Sequence, residues 1–264
     1  MHQKIYSEVA ALAIQAGKAI MEVYNDEALF AHVETKEDKS PLTWADERSN
    51  SIIAEGLKHI TPDIHLISEE IAVLPYLIRK NWNSYWLVDP LDGTKEFIKR
   101  NGQFTVNIAL IENGNPIIGI IYLPALELLY EGYVGKGAFK TENGNRVQIH
   151  TRNADSNLVA TGSASHAKPE EEELLRQFDV VEKISIGSSI KFCQIAEGAA
   201  DIYYRHGPTM EWDTAAGHAI ALAAGGQVIY KTNNESPYNK PDLHNSPFIC
   251  CGQSQLDRTQ LTGW

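Results

Sequence analysis

The run Tyr85-Trp86-Leu87-Val88 passes without a spacer into Asp89-Pro90-Leu91-Asp92-Gly93-Thr94. A short unbroken stretch of aromatic and branched residues predicts a buried strand over 85–89. The residues from Pro90 to Thr94 cannot continue it as an ordinary strand. Pro90 holds φ near about −65° and has no N–H to donate, and Gly93 permits a backbone angle that other residues avoid. The chain therefore turns sharply and aims Asp89 and Asp92 at one point. Lys95-Glu96-Phe97 reads as helical, which puts the amides of Gly93 and Thr94 at a helix start, a place where N–H groups bind phosphate. Any fold that accepts this segment buries acids beside an anion site, and the two are compatible only with cations between them.

Two other segments share the character of the first. Ser68-Glu69-Glu70 comes after an apolar strand, and Trp212-Asp213-Thr214-Ala215-Ala216-Gly217 opens a helix. Taken singly, each acid is as readily a turn or helix cap. Taken together, Glu69 and Asp89 both end apolar strands, where α/β sites collect. Oxygen ligands of this type suit Mg²⁺, which keeps several waters and takes further ligands from substrate phosphate.

The rest of the 264 residues supplies a frame for these acids. Ile5, Val9, Leu12, Ala16, Ala19, Ile20 and Val23 recur at helical spacing, so the chain opens with an amphipathic helix. The polar stretch 34–43 reads as a loop or hairpin. Thr43 precedes a second helix with Ile52, Ile53, Leu57 and Ile60 on one face, stopped by Pro62. Strands come next at 65–68 and 85–89. A hairpin over 104–111 and 117–123 turns on Glu112-Asn113-Gly114-Asn115, a further strand lies at 128–133, and 141–146 is a turn. Beyond that, strands at 157–161, 184–186, 201–204 and 227–229 alternate with helices at 169–178, 189–197 and 214–224. The expectation is an α+β first half, residues 1–148, carrying most of the acids, and an α/β second half, residues 149–264, carrying Asp213.

Charge and cysteine usage narrow the function. Thirty-four acids against twenty-three bases give a net charge of −11, which argues against a nucleic-acid polymer as partner, because phosphate contacts need Lys and Arg in excess. A small phosphorylated ligand remains compatible if metal brings local positive charge. Cys193, Cys250 and Cys251 form neither a disulfide framework nor a zinc motif, and a reducing compartment fits. Lys4, Glu8, Lys18 and Glu22 interrupt any signal-peptide core, and no apolar run approaches the roughly 18 residues of a transmembrane segment. The expected location is cytoplasmic, with weak peripheral association with the inner membrane left open. A monomer and a homodimer fit equally well.

Asp-Pro-Leu-Asp-Gly-Thr resembles a signature of the lithium-sensitive, magnesium-dependent phosphatases related to inositol monophosphatase. Trp212-Asp213-Thr214-Ala215-Ala216-Gly217 resembles that family's second signature, and Glu69 stands 20 residues before Asp89, as the family has it. The resemblance runs from Lys36 and Thr43-Trp44-Ala45-Asp46 to Gly225-Gly226. It implies a layered αβαβα sugar-phosphatase fold and two to three Mg²⁺ ions, with Li⁺ inhibitory. By that resemblance, Glu69, Asp89 and the Leu91 carbonyl hold one metal, and Asp89, Asp92 and Asp213 a second. Gly93 and Thr94 hold the phosphate, Glu69 and Thr94 position or activate water, and Asp46 assists through water or a third, weaker metal.

The family splits by substrate, and the cationic residues choose among its branches. Where inositol monophosphatases place a Glu ahead of the second signature, this chain has Arg205. An Arg cannot accept a hydroxyl proton but can grip a second phosphate. Ser188, Lys191 and Arg205 resemble the nucleotide-binding set of the 3′(2′),5′-bisphosphate nucleotidases. Ser163-Ala164-Ser165-His166 resembles their S-x-S-H segment, with His166 near the base and Ser165 beside it. This implies removal of the 3′-phosphate of 3′-phosphoadenosine 5′-phosphate, a by-product of sulfate assimilation. The alternatives are an inositol monophosphatase and a non-catalytic metal- or phosphate-binding module. An EF-hand spacing is absent.

Overall fold

The structure, a computed structural model, describes residues 2–27, 33–35, 41–163, 168–232 and 237–252. The opening helix α1 (His2–Asn25) and the second helix α2 (Trp44–Ile60) lie where the apolar spacing predicts. Between them, β1 (Val33–Thr35) and β2 (Pro41–Thr43) pair antiparallel as a small hairpin. Val9, Ala13, Ala16, Ile20 and Ile53 are fully buried in one core with residues of the first large sheet.

That sheet has seven strands in the order β3 (His65–Ser68), β4 (Ser84–Asp92), β5 (Thr105–Glu112), β6 (Asn115–Leu123), β7 (Leu128–Tyr133), β8 (Gly137–Glu142) and β9 (Asn145–Ile149). β3 and β4 are parallel, and the rest form an antiparallel meander. Side chains alternate across it with the period of two that strands impose. Val106, Ile108 and Leu110 face α1 and α2, whereas Ala109 and Ile111 face the opposite layer. Thr105 and Asn107, at odd positions like Ala109, therefore point to that opposite layer too. A short helix α3 (Tyr76–Arg79) joins β3 to β4, and α4 (Thr94–Ile98) joins β4 to β5.

The second sheet has the order β11 (Val180–Ile186), β10 (Leu158–Ser163), β12 (Ile202–Arg205), β14 (Phe248–Gly252), β13 (Gly226–Tyr230). The first three are parallel, and β14 runs antiparallel to both its neighbours. Helices α6 (Ile190–Ala196) and α7 (Glu211–Ala223) lie between the sheets, sharing one core with Tyr85, Leu87 and Ile121 and another with Tyr203, Tyr230 and Phe248. Leu174 of α5 (Pro169–Leu175) packs on the far face of the second sheet with Ala160, Tyr204 and Ile249. The layers are thus αβαβα. Among the described residues, no helix is long and apolar enough to cross a membrane.

The contact between α7 and the first sheet is unusually close. A Cβ on Gly119 of β6 would lie 2.1 Å from the Ala216 carbonyl, and one on Gly132 of β7 would lie 2.5 Å from Ile220 Cα. Both glycines are required by packing, not by backbone angle. Helix α7 also begins earlier than the sequence predicts, at Glu211 instead of 214, because the Asp213 carboxylate accepts the Met210 N–H at 2.8 Å and caps the first turn. β14 has no counterpart in the sequence reading: a five-residue apolar run carries no period that separates strand from helix. Its Phe248 and Cys250 face one core and Ile249 and Cys251 another, so it is buried on both sides.

Candidate metal centre and the cationic pocket beside it

β4 pairs regularly with β5 as far as Asp89, opposite Asn107, then slips by one residue so that Asp92 faces Thr105. This bulge turns the two acids toward the same side. The Leu91 N–H donates to Asp89 Oδ1 at 3.1 Å, and Ser49 Oγ on α2 donates to the Pro90 carbonyl at 2.7 Å, so the turn is tied at both edges. Gly93 adopts φ 93°, and a Cβ there would lie 2.9 Å from the Gln103 carbonyl. No other residue fits this position. Thr94 opens α4, and its hydroxyl lies 3.5 Å from the Leu91 carbonyl oxygen.

Glu69 comes directly after β3 and is held there by its N–H, which donates to the Val88 carbonyl at 3.1 Å. Asp213 comes from the first turn of α7. Glu69, Asp89 and Asp213 each offer one carboxylate oxygen, and these oxygens lie within 4.8 Å of one another. Asp92 lines the same space, with the Asn107 amide nitrogen 3.4 Å from its Oδ2. Asp46 is 1% exposed in the first turn of α2 and is not among the residues lining the cavity, but its charge reaches Asp89. Ser165 and His166 lie outside the described residues.

Burial first, then the charges of Glu69, Asp92, Asp213 and Asp46, push the Asp89 carboxyl well above the usual carboxylate range. Burial and Asp92 act likewise on Asp213. Burial raises Asp92 to about 6, with the Lys191 ammonium opposing the rise. Acids crowded in this way ionise together only with a counter-charge among them. An all-oxygen donor set on converging strand ends fits a hard divalent cation, so the residues present fit a metal.

These acids form one wall of a cavity of about 510 Å³. The same cavity also has a cationic part. Lys191 on α6 and Arg205 at the end of β12 are 5% and 8% exposed, yet both line the cavity. Lys191 Nζ donates to the Ile186 carbonyl at 3.3 Å and to the Ser188 carbonyl. Burial lowers Lys191 to about 8, the nearby Arg205 charge adding to that fall and Asp92 opposing it. Ser188, beside Lys191, sits at φ 43°, in the left-handed region. Lys168, Ser163, Tyr203 and the segment 207–209 also line the cavity.

Several contributors escaped the sequence reading. Glu171, in a helix read there only as acidic, is 6% exposed, accepts the His206 N–H at 3.2 Å and lies 3.9 Å from Arg205 Nη1. Asn107, Thr105 and Ser189 form a buried polar group behind Asp92. The one available signal for Asn107 was its polarity inside the apolar run Val106–Ile111, on the strand face that carries no other large polar group.

Comparison with known proteins identifies the family and the fold. The sequence pattern described as the inositol monophosphatase family matches residues 1–261. A Salmonella typhimurium protein named 3′(2′),5′-bisphosphate nucleotidase CysQ is 53% identical over 221 residues, 84% of this chain and 88% of that one. The protein of the same name from Escherichia coli K12 is 52% identical over the same span. Among solved structures, CysQ from Bacteroides thetaiotaomicron, described as a bacterial member of the inositol monophosphatase family, superposes with a TM-score of 0.84 at 41% identity, covering 95% of this chain and 98% of that one. An inositol monophosphatase from Anabaena has the same fold, with a TM-score of 0.75 at 23% identity.

Proposed function

Since the chain belongs to the inositol monophosphatase family, we propose that it is a Mg²⁺-dependent 3′(2′),5′-bisphosphate nucleotidase that converts 3′-phosphoadenosine 5′-phosphate to AMP and phosphate. The observation that carries this reading is the joining in one cavity of a carboxylate cluster and the buried cations Arg205 and Lys191. A substrate with two phosphates on one small body matches that layout: one phosphate is cut beside the acids and the other is held by the cations.

In this reading the 1–148 half contributes Glu69, Asp89, the Leu91 carbonyl and Asp92, and the 149–264 half contributes Asp213 and the cations. Two Mg²⁺ ions would be held by Glu69, Asp89 and Leu91 and by Asp89, Asp92 and Asp213, with Asp46 acting through a weaker third ion or through water. When bound, the ions supply Lewis acidity and offset the charge that builds on the phosphoryl and leaving oxygens. The amides of Gly93 and Thr94 orient the phosphate, while Glu69 and Thr94 orient the attacking water in line with it. Arg205 and Lys191 grip the second phosphate, Ser188 bonds the nucleotide, and Ser165 and His166 serve the base side. Positioning and electrostatics supply most of the acceleration in phosphoryl transfer, because there is little covalent work for a protein to do. The corresponding role is clearance of a by-product of sulfate assimilation.

The test is a phosphate-release panel with Mg²⁺ over 3′-phosphoadenosine 5′-phosphate, 3′-phosphoadenylyl sulfate, inositol 1-phosphate and sugar phosphates. The nucleotide should be turned over fastest. Preference for inositol phosphate would overturn the substrate assignment, and absence of release from every substrate would favour a binding module.

A further inference from the structure

Asp92 is backed by a chain of polar side chains. Asn107, 1% exposed on β5, donates its Nδ2–H to Asp92 Oδ2 at 3.4 Å. Its own Oδ1 accepts the Ser189 hydroxyl at 2.8 Å. Ser189 Oγ lies 2.9 Å from Thr105 Oγ1, which lies 3.1 Å from Ser188 Oγ. A hydroxyl has one proton to give, and an amide oxygen or carboxylate can only accept. The direction of every bond is therefore fixed: Ser189 spends its proton on Asn107, so Thr105 donates to Ser189, and Ser188 donates to Thr105. The chain runs one way, from the nucleotide-facing loop to the carboxylate. Bonds aligned head to tail strengthen one another, and all of them lie between β5 and the start of α6.

We propose that Asn107 is the positioning residue for Asp92: its amide, locked by Ser189, holds one carboxylate oxygen and thereby leaves the other for the ion. Asparagine suits the place because it donates at one end and accepts at the other. Without it, Asp92 keeps only the Ser189 backbone N–H as a hydrogen-bond partner on this side, and its carboxylate is less well ordered when an ion binds. Outer-shell partners of metal ligands typically carry about 10–100-fold in affinity. The proposal rests on the reading of Asp92 as a metal ligand.

Calorimetric titration of Mg²⁺ into the full-length protein tests it. Asn107→Leu, which keeps the volume but removes both bonds, should weaken Mg²⁺ binding by about 10–100-fold. Ser189→Ala should shift it in the same direction by less, and its smaller change preserves the test should the leucine variant not fold. On an Asp92→Ala background, Asn107→Leu should have no further effect on Mg²⁺ affinity, because its action passes through that carboxylate. Unchanged affinity in both single variants, or the same loss with and without Asp92, overturns the proposal alone. An isotherm insensitive to Asp92→Ala itself would overturn the reading of Asp92 as a ligand and this proposal with it.

Discussion

The two walls of the cavity are both charged, yet they differ in burial and in build: Glu69 is exposed and Asp92 and Asp213 are half-buried, whereas Lys191 and Arg205 are both buried. The acidic wall is fixed by backbone. Asp89 and Asp92 sit on either side of a bulge, Glu69 ends the neighbouring parallel strand, and Asp213 caps the helix it belongs to. The cationic wall carries its charges at the ends of long side chains from separated segments. Lys191 is held by carbonyls of its own turn, and Arg205 lies against Glu171, which comes from a helix on the far side of the second sheet. Backbone-fixed groups keep their geometry whether or not a ligand is present, which suits chemistry. Groups carried on long side chains adapt, which suits recognition.

The most severe way to break this contrast is to remove the acid that both proposed ions share. Asp89→Asn should lower turnover by at least about a thousandfold, while relief of like-charge repulsion should leave the metal-free fold as stable as the wild type or more so. Mg²⁺ should raise the melting temperature of the wild type far more than that of the variant. An active Asp89→Asn enzyme would remove the acidic wall from the mechanism.

The cationic wall should answer differently. Arg205→Glu and Lys191→Ala should each lower kcat/KM for 3′-phosphoadenosine 5′-phosphate by about 10–150-fold, the worth of a charge-assisted bond of about 1.5–3 kcal/mol. Hydrolysis of inositol 1-phosphate should not fall in parallel. Equal losses on both substrates would mean that these residues support the fold and not selection.

Lithium sharpens the distinction further, since it should act on one wall only. Li⁺ is close to Mg²⁺ in size and prefers oxygen ligands, but carries half the charge. Held by Asp89, Asp92 and Asp213 after the leaving group departs, it would trap product phosphate. Inhibition at fixed Mg²⁺ should then be uncompetitive in substrate and not be reproduced by K⁺ at matched ionic strength. A purely competitive pattern would place its action elsewhere.

The smallest effect is on stability, and here the walls should have opposite signs. Asp92, raised to about 6 in the fold, contributes stability that is present below the ordinary value of 3.8 and lost as pH rises through about 6. Lys191, lowered to about 8, contributes stability that is present above 10.5 and lost as pH falls through about 8. The stability difference between metal-free Asp92→Asn and the wild type should therefore change with pH across roughly pH 4–6, and that of Lys191→Met across roughly pH 8–10, each being level outside its own window. Changes confined to one common window would overturn these assignments.

The same contrast decides how much of the molecule is legible in its sequence. The acidic wall is legible because its determinants are local: an apolar run, a proline, a glycine and two acids within ten residues define strand, turn and helix start together. Lys191 and Arg205 are visible as residues, but Glu171 is not visible as the partner of Arg205, because the two meet only when β12 and α5 are brought together. Asn107 escapes for the same reason, as nothing in its neighbourhood along the chain says that Ser189 stands opposite. β14 escapes because its place between β12 and β13 is decided by register, not propensity.

The tight seating of α7 on Gly119 and Gly132 makes the mechanical seam of the molecule differ from the seam in its sequence. By order along the chain, α7 belongs to the second half. By contact, it moves with the first sheet, since a helix whose backbone touches a sheet's backbone has no side-chain cushion to slide on. Asp213 therefore travels with Glu69 and Asp89, and so does Lys191, because Ser188 and Ser189 tie the start of α6 to Thr105 and Asn107 of β5; Arg205 alone of the two cations belongs to the second sheet. A motion that drew the second sheet off this layer would carry Arg205 away while leaving the acid cluster and Lys191 in place.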